Sequence, residues 1–404
     1  MHYDLLISGA GPAGLCLARS LSGLGLSIAV VEQQAADAIE NPAFDGREIA
    51  LSQHSAATLR RLGVLERIEA DNPAALSPLR DAQVLNGPSK FSMVIGHGLT
   101  SRSELGWLVS NHLIRRAAWQ EVQDSIARHG DITLIAGDGV AHVSTDTEAA
   151  RVTLASGATH SAQLLVAADS RFSPTRRAVG IGATMHDFGR TMVVSQVEHE
   201  LPHDHMAWEW FGHDGQTMAL LPMNDDPASG AHRASVVLTL PHQQMEPLLA
   251  LDQEAFGAEL TRRFDRRLGA MRSTSTRHAY PLVGVYPRRL VAQRFACIGD
   301  AAVGMHPVTA HGFNFGLASV ETLARQLGAA HAASRDLGAP EALARYQRLH
   351  RLATRPLYEA TRIVAMLYTN DSRPARPLRE LVLRVADRVT PFKWAIATSL
   401  AGHR

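Results

Sequence analysis

A glycine-rich turn between a strand and a helix constrains the fold of this chain more than any other feature. Residues 3–8 form a short apolar run, and the next six residues read Gly-Ala-Gly-Pro-Ala-Gly before a helical pattern that extends to Leu24. A second apolar run, Ile28 to Val31, ends at Glu32, 18 residues beyond Gly14. This order of strand, glycine turn, helix, strand and acid is typical of a dinucleotide-binding βαβ unit.

Each glycine of the turn has its own physical role. Gly9 permits the tight turn, Gly11 lets the backbone approach a pyrophosphate, and Gly14 lets the helix pack closely on the strand. The unpaired amides at the start of the helix, next to Pro12 and Ala13, then meet the negative charge of the pyrophosphate.

The acid at the end of the second strand extends this prediction. Glu32 stands where a carboxylate can accept hydrogen bonds from both hydroxyls of an adenosine ribose. The unit therefore predicts a bound dinucleotide, with NAD and FAD both open on this evidence.

Composition and charge exclude several classes of protein. The chain has 404 residues, of which 46% are hydrophobic and 20% charged, as in a globular protein of two or three domains. The net charge of +1 gives no global field that would attract nucleic acid. Cys16 and Cys297 lie in apolar patterns, which indicates small buried residues and a reducing compartment.

Targeting signals are also absent from the pattern. The first strand begins by residue 3, which leaves no room for a signal peptide, and no apolar run is long enough for a transmembrane helix. We expect a cytoplasmic protein that attaches to the inner face of the membrane at most peripherally.

The middle of the chain predicts a β-meander and a second sheet. A helix follows the N-cap Ser52 to Ile68, a hairpin spans 81–95, and a helix covers 104–129. Apolar runs then predict strands at 132–135, 140–144, 151–154 and 164–167. Alternating patterns predict a largely antiparallel sheet from 191–197, 206–211, 217–221 and 234–240, with a helix over 245–268.

The predicted fold is α/β with α+β insertions. A Rossmann-like nucleotide domain with a β-meander takes residues 1–76, 101–185 and 273–335. An inserted substrate domain with a mostly antiparallel sheet takes 77–100 and 186–272, and a helical region takes 336–404.

A second glycine-flanked loop has the same order as the first, namely a strand, a loop of small residues and the start of a helix. A strand ends at Gly299-Asp300, and a small-residue loop leads to a helix from about Phe315. Asp300 can accept a hydrogen bond from a polyol, and the amides of Gly312, Phe313 and Asn314 can stabilise negative charge on a ring. An ordinary loop between a strand and a helix is the alternative.

Histidines and a basic C-terminus complete the candidates. His306 and His311 lie within that loop and can relay a proton or hold a hydroxyl, although a structural role is equally compatible with the pattern. No set of residues has the spacing of a metal site. Helical patterns cover 341–367 and 378–400. From Arg362 to the end the sequence is basic, and this terminus either lies on an anionic membrane or caps the domain.

Three separated segments resemble the flavin-dependent aromatic hydroxylases, the family that includes p-hydroxybenzoate hydroxylase. They are the opening glycine turn with Glu32, residues 168–177, and the Gly299-Asp300 loop. Residues 46–52, 105–111 and 306–317 resemble the ubiquinone-biosynthesis branch of that family. The resemblance covers essentially the whole chain.

The resemblance assigns most candidate residues to FAD. It implies that the ADP half is held by the opening glycine turn and Glu32, that Arg47 and Asn111 touch the pyrophosphate and ribityl region, and that Asp300 binds the ribityl chain. From the residues alone, Arg47 is as compatible with a plain surface position. The full predicted cofactor set is Gly9, Gly11, Pro12, Ala13, Gly14, Glu32, Gln33, Arg47, Asn111, Val140, Asp169, Asp300, Gly312, Phe313 and Asn314.

The resemblance also implies a reaction. NADH or NADPH reduces FAD, the reduced flavin forms a C4a-hydroperoxide with O₂, and an aromatic ring is hydroxylated. The branch implies a polyprenylated phenol or quinol of ubiquinone biosynthesis as substrate, with a peripheral membrane, a biosynthetic complex or a second copy as further partners. A soluble catabolic or natural-product hydroxylase and a non-catalytic flavin-binding scaffold are the alternatives.

Two positions depart from the family pattern. Ser170 replaces the usual glycine after Asp169, and Val303 stands where a histidine is common. The first departure concerns a segment linked to nicotinamide contacts, so it puts the handling of the nicotinamide in doubt. A second glycine-rich βαβ signature for NAD(P)H is absent from the sequence, as in that family.

Overall fold

The computed structural model describes residues 1–87, 92–99, 102–212, 216–307 and 310–369. The helices of these residues are α1 Pro12–Leu21, α2 Ala36–Glu40, α3 Gln53–Arg61, α4 Val64–Asp71, α5 Asn111–His129, α6 Pro174–Ala178, α7 His242–Leu249, α8 Gln253–Arg263, α9 Gly312–Ala332 and α10 Pro340–Thr369.

The strands of the described residues form three sheets. They are β1 His2–Ser8, β2 Ile28–Glu32, β3 Glu48–Ser52, β4 Ser77–Leu79, β5 Asp81–Asn86, β6 Ser92–Gly96, β7 Gly106–Ser110, β8 Ile132–Ala136, β9 Val140–Thr145, β10 Ala150–Leu154, β11 Thr159–Ala167, β12 Ala183–His199, β13 Met206–Phe211, β14 Thr217–Met223, β15 His232–Pro241, β16 Met271–Ser273, β17 His278–Pro287, β18 Val291–Ala292 and β19 Phe295–Cys297.

The first sheet has a parallel centre with a meander attached. Its central order is β19-β11-β1-β2-β8, all parallel, and β9, β10 and β11 form antiparallel neighbours. Leu5 pairs with Ile28 on one side and with Leu164 on the other. Strands β1 and β2 are almost fully buried because α1, α5 and α9 pack around the sheet. The predicted Rossmann-like sheet and its β-meander are confirmed.

The second sheet is mostly antiparallel, as predicted. Its order is β16-β12-β15-β14-β13-β5-β6, with β17 paired to β12, and among these pairs β13 with β5 is the parallel one. Helices α7 and α8 cover one face of this sheet, where Leu248, Phe256 and Leu260 pack against Trp208 and Leu220. The predicted 81–95 hairpin is present as the antiparallel pair β5 and β6.

A small third sheet, β3-β7-β4, lies between the two large ones. One of its faces contributes Leu51 and Val109 to the main core. The other face packs Ala50 and Leu108 against Ala207 of the second sheet. The side chains of β3 and β7 thus alternate between two cores, as the twofold period of a strand requires.

Three predicted helices were wrong in their bounds. Residues 106–110 of the helix expected over 104–129 form strand β7, so α5 begins at Asn111. The helix expected to Ile68 is divided into α3 and α4 at Gly63, whose φ of +84° a helix cannot accommodate. The helix expected over 245–268 is divided into α7 and α8, since Asp252 caps a new helix through the amide of Ala255.

The domain division stays a prediction, and one strand of the predicted nucleotide domain pairs in the second sheet. Strand β17, expected in the nucleotide domain, pairs with β12 in the second sheet. The helix expected over 378–400 lies outside the described residues. Within the described part of the chain, no helix combines the length and apolarity needed to cross a bilayer.

Candidate functional site

A cleft of about 540 Å³ opens where the carboxyl ends of β1, β2, β11 and β19 meet. Among the predicted cofactor residues, the cleft is lined by Gly9, Gly11, Pro12, Ala13, Glu32, Gln33, Arg47, Asn111, Val140, Asp169, Asp300 and Phe313. Gly14, Gly312 and Asn314 were also predicted but lie outside this lining. Segments far apart in the sequence therefore meet around one space.

The turn between β1 and α1 needs glycine for different reasons at its three positions. Gly9 has a φ of +110°, and a Cβ there would lie 2.6 Å from the carbonyl oxygen of Ala168. A Cβ on Gly14 would lie 2.0 Å from the carbonyl oxygen of Gly9. A Cβ on Gly11, by contrast, would meet no protein atom within 4 Å. Gly11 therefore keeps the space open on the cleft side, while Gly9 and Gly14 allow close packing of the backbone.

Helix α1 presents its positive end to the cleft. Its N-cap is Gly11, which supplies no side-chain hydrogen bond, and Pro12 occupies the first turn without an amide proton of its own. The remaining first-turn amides and the helix dipole favour an anion at this position.

Glu32 forms the end of the cleft at β2. Its Oε2 accepts a hydrogen bond from the amide of Ala10 at 2.8 Å, and its Oε1 accepts one from the amide of Gln34 at 2.9 Å. A carboxylate has about four lone-pair positions, so each oxygen can still accept a ligand hydroxyl. These two bonds also hold Glu32 against the glycine turn.

Arg115 is a cleft residue that the sequence reasoning missed. Its Nη2 lies 3.1 Å from Oε1 of Gln34, and its side chain lines the same cleft as Asn111. The two residues are one helical turn apart on α5. This spacing predicts that both residues lie at the cleft only when α5 is known to begin at Asn111.

Asp45 organises the wall of the cleft around Arg47. Its Oδ2 accepts hydrogen bonds from Nη2 of Arg47 at 2.6 Å and from Nδ2 of Asn111 at 2.7 Å. Burial favours a higher pKa for Asp45, but the hydrogen bond and charge of Arg47 hold that pKa below its ordinary value. Tyr280 donates to the carbonyl of Asp45 at 2.7 Å, and its ring lies under the Arg47 guanidinium. The sequence reasoning included Arg47 and Asn111 but missed Asp45.

Asp169 lines the same cleft. Its Oδ2 accepts a hydrogen bond from the amide of Thr175 at 3.1 Å, whereas its buried Oδ1 has no partner within the described residues. Ser170, which stands where the family usually has glycine, has a φ of +87°. That is the left-handed region that glycine adopts without strain, so the departure in sequence leaves the backbone shape in place.

Asp300 lines the same cleft although it lies about 290 residues from the glycine turn in the sequence. Gly299 has a φ of +60°, and a Cβ on it would lie 2.9 Å from Cβ of Ala13. The amide of Gly299 donates to Oγ of Ser319 at 2.9 Å, which ties the loop to α9. Nη2 of Arg171 lies 3.5 Å from Oδ2 of Asp300. Glycine thus lets the Asp300 loop pack directly against the first glycine turn.

The amide side chain of Asn314 is used within the protein. Its Oδ1 accepts from the amide of Ser52, and its Nδ2 donates to the carbonyls of Ala50 and Ala310, each at 2.9 Å. Asn314 therefore joins the start of α9 to β3, and its side chain does not face the cleft. Gly312 is the first residue of α9, and the N-cap residue His311 makes no side-chain capping hydrogen bond.

The two candidate histidines are buried beside the cleft rather than in its lining. The His306 ring packs edge-on against Phe188 with 4.6 Å between ring centroids, and Phe188 packs similarly on His186 at 4.5 Å. Burial, with His186 nearby, lowers the pKa of His306 to about 4. The His311 ring lies 5.9 Å from that of Phe315, at the start of α9. Their catalytic role stays a prediction.

The tryptophans of the second sheet belong to its core. Trp208 packs with Leu220 beneath α7 and α8, and its Nε1 donates to Oε1 of Gln83 at 2.9 Å. Trp210 packs against the same cluster. These residues stabilise the face of the sheet that α7 and α8 cover.

The donor set fits a pyrophosphate that carries a polyol on each side. The helix start and open Gly11 suit the phosphates, and Glu32 and Asp300 lie on either side of them as hydroxyl acceptors. Asp169, whose buried Oδ1 has no partner within the described residues, also lines this cleft.

Comparison with known proteins agrees with this chemistry. The family described as FAD binding domain matches residues 2–356. The ubiquinone hydroxylase UbiM of Neisseria meningitidis is 41% identical over 406 aligned residues, which cover 100% of this chain and 85% of that protein. The ubiquinone hydroxylase UbiL of Rhodospirillum rubrum is 33% identical, covering 96% of this chain and 87% of that protein.

A solved structure supports the fold. PqsL of Pseudomonas aeruginosa, in complex with 2-aminobenzoylacetate, has a TM-score of 0.76 and 21% identity, and the match covers 93% of this chain and 99% of PqsL. Residues 169–173 and 306–312 resemble UbiM in particular, in agreement with the 41% identity. The chain belongs to the FAD binding domain family, and FAD is its cofactor.

Proposed function

We propose that this protein is an FAD-dependent monooxygenase that uses NADH or NADPH and O₂ to hydroxylate the aromatic ring of a polyprenylated ubiquinone precursor. Two relatives that align with nearly the whole chain are named ubiquinone hydroxylases. The observation that carries the proposal is the meeting of Glu32, the glycine turn and Asp300 around one cleft, because these groups suit the two halves of FAD.

Each cleft residue has a role in this proposal. The first-turn amides of α1 bind the pyrophosphate, Glu32 binds the adenosine ribose and Asp300 the ribityl chain. Arg47, held by Asp45, adds positive charge near the phosphates. When bound, FAD supplies the redox chemistry, taking electrons from the nicotinamide and activating O₂.

The protein then holds the substrate ring and excludes water. His306 or His311, placed beside the substrate ring, would hold the hydroxyl of that ring or relay its proton. The lowered pKa of His306 makes it a weak base, so holding the hydroxyl suits it better than removing its proton.

The described part of the C-terminal region supports access to a membrane-bound substrate. Helix α10 exposes Leu352 by 74% and Ile363 by 59%. Arg345, Arg348 and Arg355 are exposed on the same helix. We infer that this basic and apolar face, the α10 face, lies on an anionic lipid surface.

Product analysis tests the proposed reaction. The purified protein is supplied with a reduced nicotinamide and either a polyprenylated phenol or a small phenol without a tail. We expect bound FAD, nicotinamide oxidation stimulated by the prenylated ring, and a hydroxylated product by mass spectrometry. Complementation of strains that lack single ubiquinone ring hydroxylases identifies the carbon that is attacked.

Other outcomes would favour the alternatives. Turnover of small phenols alone would indicate a soluble catabolic or biosynthetic hydroxylase. Bound FAD with neither stimulated oxidation nor product would indicate a scaffold and would contradict the proposed activity.

A further inference from the structure

A carboxyl group, that of Glu209, lies in an apolar part of the inner face of the second sheet. Side chains of β13 alternate, so Trp208 and Trp210 face α7 and α8, while Ala207, Glu209 and Phe211 face the other way. Ala207 packs with Ala50, Leu79 and Leu108, and Phe211 packs with Met93, Ile95 and Leu105. Glu209 therefore lies between two apolar clusters, on the face of the sheet that meets the third sheet.

The cross-strand neighbours of Glu209 are all apolar. Strand register pairs Glu209 with Val84 and Ala219, Val84 with Met93, Ala219 with Val237, and Val237 with Val194. Paired residues lie on the same face of a sheet, so this row of six side chains holds one carboxyl. We call it the Glu209 row.

The Glu209 row extends toward the cofactor cleft. At its end, Cγ2 of Val194 would lie 2.7 Å from a Cβ on Gly46, the residue before Arg47. Arg47 lines the cleft. With strands about 4.8 Å apart, three strand spacings place Glu209 roughly 14 Å from Val194 along the sheet, which is the scale of an aromatic ring with part of its tail.

Glu209 keeps some accessible surface, but its carboxyl has no partner within the described residues. It makes no hydrogen bond or ion pair within the residues that the structure describes, and burial raises its pKa to about 8. The side chain is enclosed by protein yet keeps accessible surface, as do Val84, Ala219 and Val237 of the same row. An unpaired carboxyl in apolar surroundings destabilises the fold, so its presence calls for a partner from outside the chain.

We propose that Glu209 selects the substrate by hydrogen bonding to a hydroxyl on its aromatic ring, so that phenols and quinols bind in preference to rings without oxygen. The inference rests on the proposed function, because it places the aromatic substrate in the space between the second sheet and the cofactor cleft. A neutral carboxylic acid both donates and accepts, so it pairs with a hydroxyl without leaving a buried charge. The apolar remainder of the row suits the ring and its prenyl tail.

Calorimetric titration tests this selection. The FAD-loaded protein is titrated with 2-geranylphenol and with geranylbenzene, which lacks the oxygen. We expect the wild type to prefer the phenol by roughly tenfold, the effect of one buried hydrogen bond. Glu209→Leu should abolish that preference, whereas Glu209→Gln, which also donates and accepts, should retain most of it.

Thermal unfolding separates recognition from a structural role. Glu209→Leu removes an unpaired carboxyl from an apolar face, so its Tm should rise while its preference for the phenol disappears. The matched control Glu254→Leu, on the exposed side of α8, should change neither the preference nor the FAD content. A Glu209→Leu protein that still prefers the phenol, or a wild type without any preference, would overturn the inference.

The same wild-type sample distinguishes this result from the proposed function. If the phenol binds preferentially and Glu209→Leu abolishes that preference, but no hydroxylated product forms with FAD and a reduced nicotinamide, the proposed reaction fails while the assignment of Glu209 stands. If product forms and Glu209→Leu keeps the preference, the reaction stands and the assignment fails.

Discussion

At the scale of single residues, alanine substitutions of Gly11 and Gly14 in the first turn should have opposite effects on stability and FAD binding. We expect Gly11→Ala to fold with an almost unchanged Tm, because its Cβ meets no protein atom within 4 Å. The same Cβ would occupy the cleft, so FAD content after gel filtration should fall at least roughly tenfold. Flavin absorbance per protein gives the measurement.

Gly14→Ala is the matched comparison. Its Cβ would lie 2.0 Å from the carbonyl oxygen of Gly9, so α1 and β1 must separate and the Tm should fall. If Gly11→Ala retained its FAD, the open space beside Gly11 would have no role in the cofactor site.

Asp300 is predicted to retain the flavin half of the cofactor. Asp300→Ala removes a charged hydrogen-bond acceptor from the cleft, so the dissociation constant of FAD should rise roughly tenfold. Fluorescence titration of the apoprotein with FAD measures this change. Asp300→Asn keeps one acceptor oxygen and should lose less, while an unchanged flavin content in Asp300→Ala would refute the assignment.

At the scale of elements, a misread boundary concealed part of the site. The pattern over 104–129 resembles one amphipathic helix, but residues 106–110 pair as β7 with β3 and β4. Once α5 begins at Asn111, its first turn places Asn111 and Arg115 together at the cleft. Local periodicity does not separate a buried strand from the helix that follows it, because pairing with β3 decides the boundary.

The α10 face predicts binding to anionic lipid. We expect the wild type to sediment with vesicles of phosphatidylcholine and phosphatidylglycerol, less strongly at high salt, because arginine and apolar side chains act together there. The double variant Leu352→Glu/Ile363→Glu should remain in the supernatant and keep its FAD.

The control for the α10 face is an exposed leucine elsewhere. Leu201 is 51% exposed, beyond the end of β12, and Leu201→Glu should sediment as the wild type does. Equal sedimentation of the double variant and the wild type would show that this face is not the lipid contact.

At the scale of the whole molecule, buried titratable groups determine the response to pH. Burial lowers the pKa of His199, His306 and His350 to about 4. Histidines of the unfolded chain take up protons near pH 6.5, so the unfolded state binds more protons between pH 6.5 and 4. The contribution of these groups to stability is present above pH 6.5 and is lost as the pH falls through that window.

Two buried carboxyls, those of Glu48 and Glu209, make stability depend on pH in the opposite direction. Burial raises the pKa of Glu48 to about 7 and that of Glu209 to about 8, against the hydrogen bonds that Ser110 and Gln196 donate to Glu48. The folded state then holds protons that the unfolded state has released above about pH 4.5. Their contribution is present at low pH and is lost as the pH rises toward 8.

His350 isolates one of these contributions. It is 1% exposed, stacks on Tyr346, and neither ring nitrogen has a hydrogen-bond partner within the described residues. We expect His350→Leu to raise the free energy of unfolding, with a gain about 2 kcal/mol larger at pH 5 than at pH 7.5. Urea unfolding at both pH values measures the difference, and an equal gain at both would contradict the lowered pKa of His350.

The sequence by itself determined those parts of the molecule that depend on local geometry. The strand, the glycine turn and Glu32 fall within 32 residues, and their roles follow from a tight turn, a helix start and a strand end. The meander and the second sheet followed from alternation along each strand, because burial of one face imposes that period. Most of the predicted cofactor residues therefore line the cleft.

Tertiary structure alone decided which distant groups meet. Asp45 binds Arg47 and Asn111 together, Asn314 bonds to β3 instead of facing the cleft, and Glu209 is turned to the inner face of its sheet. None of these follows from local periodicity, since each depends on backbone paired or packed across long stretches of chain. The glycine turn could be predicted from the sequence because its steric constraint lies within one loop. The role of a carboxyl such as that of Asp45 or Glu209 depends instead on which distant residues pack against it.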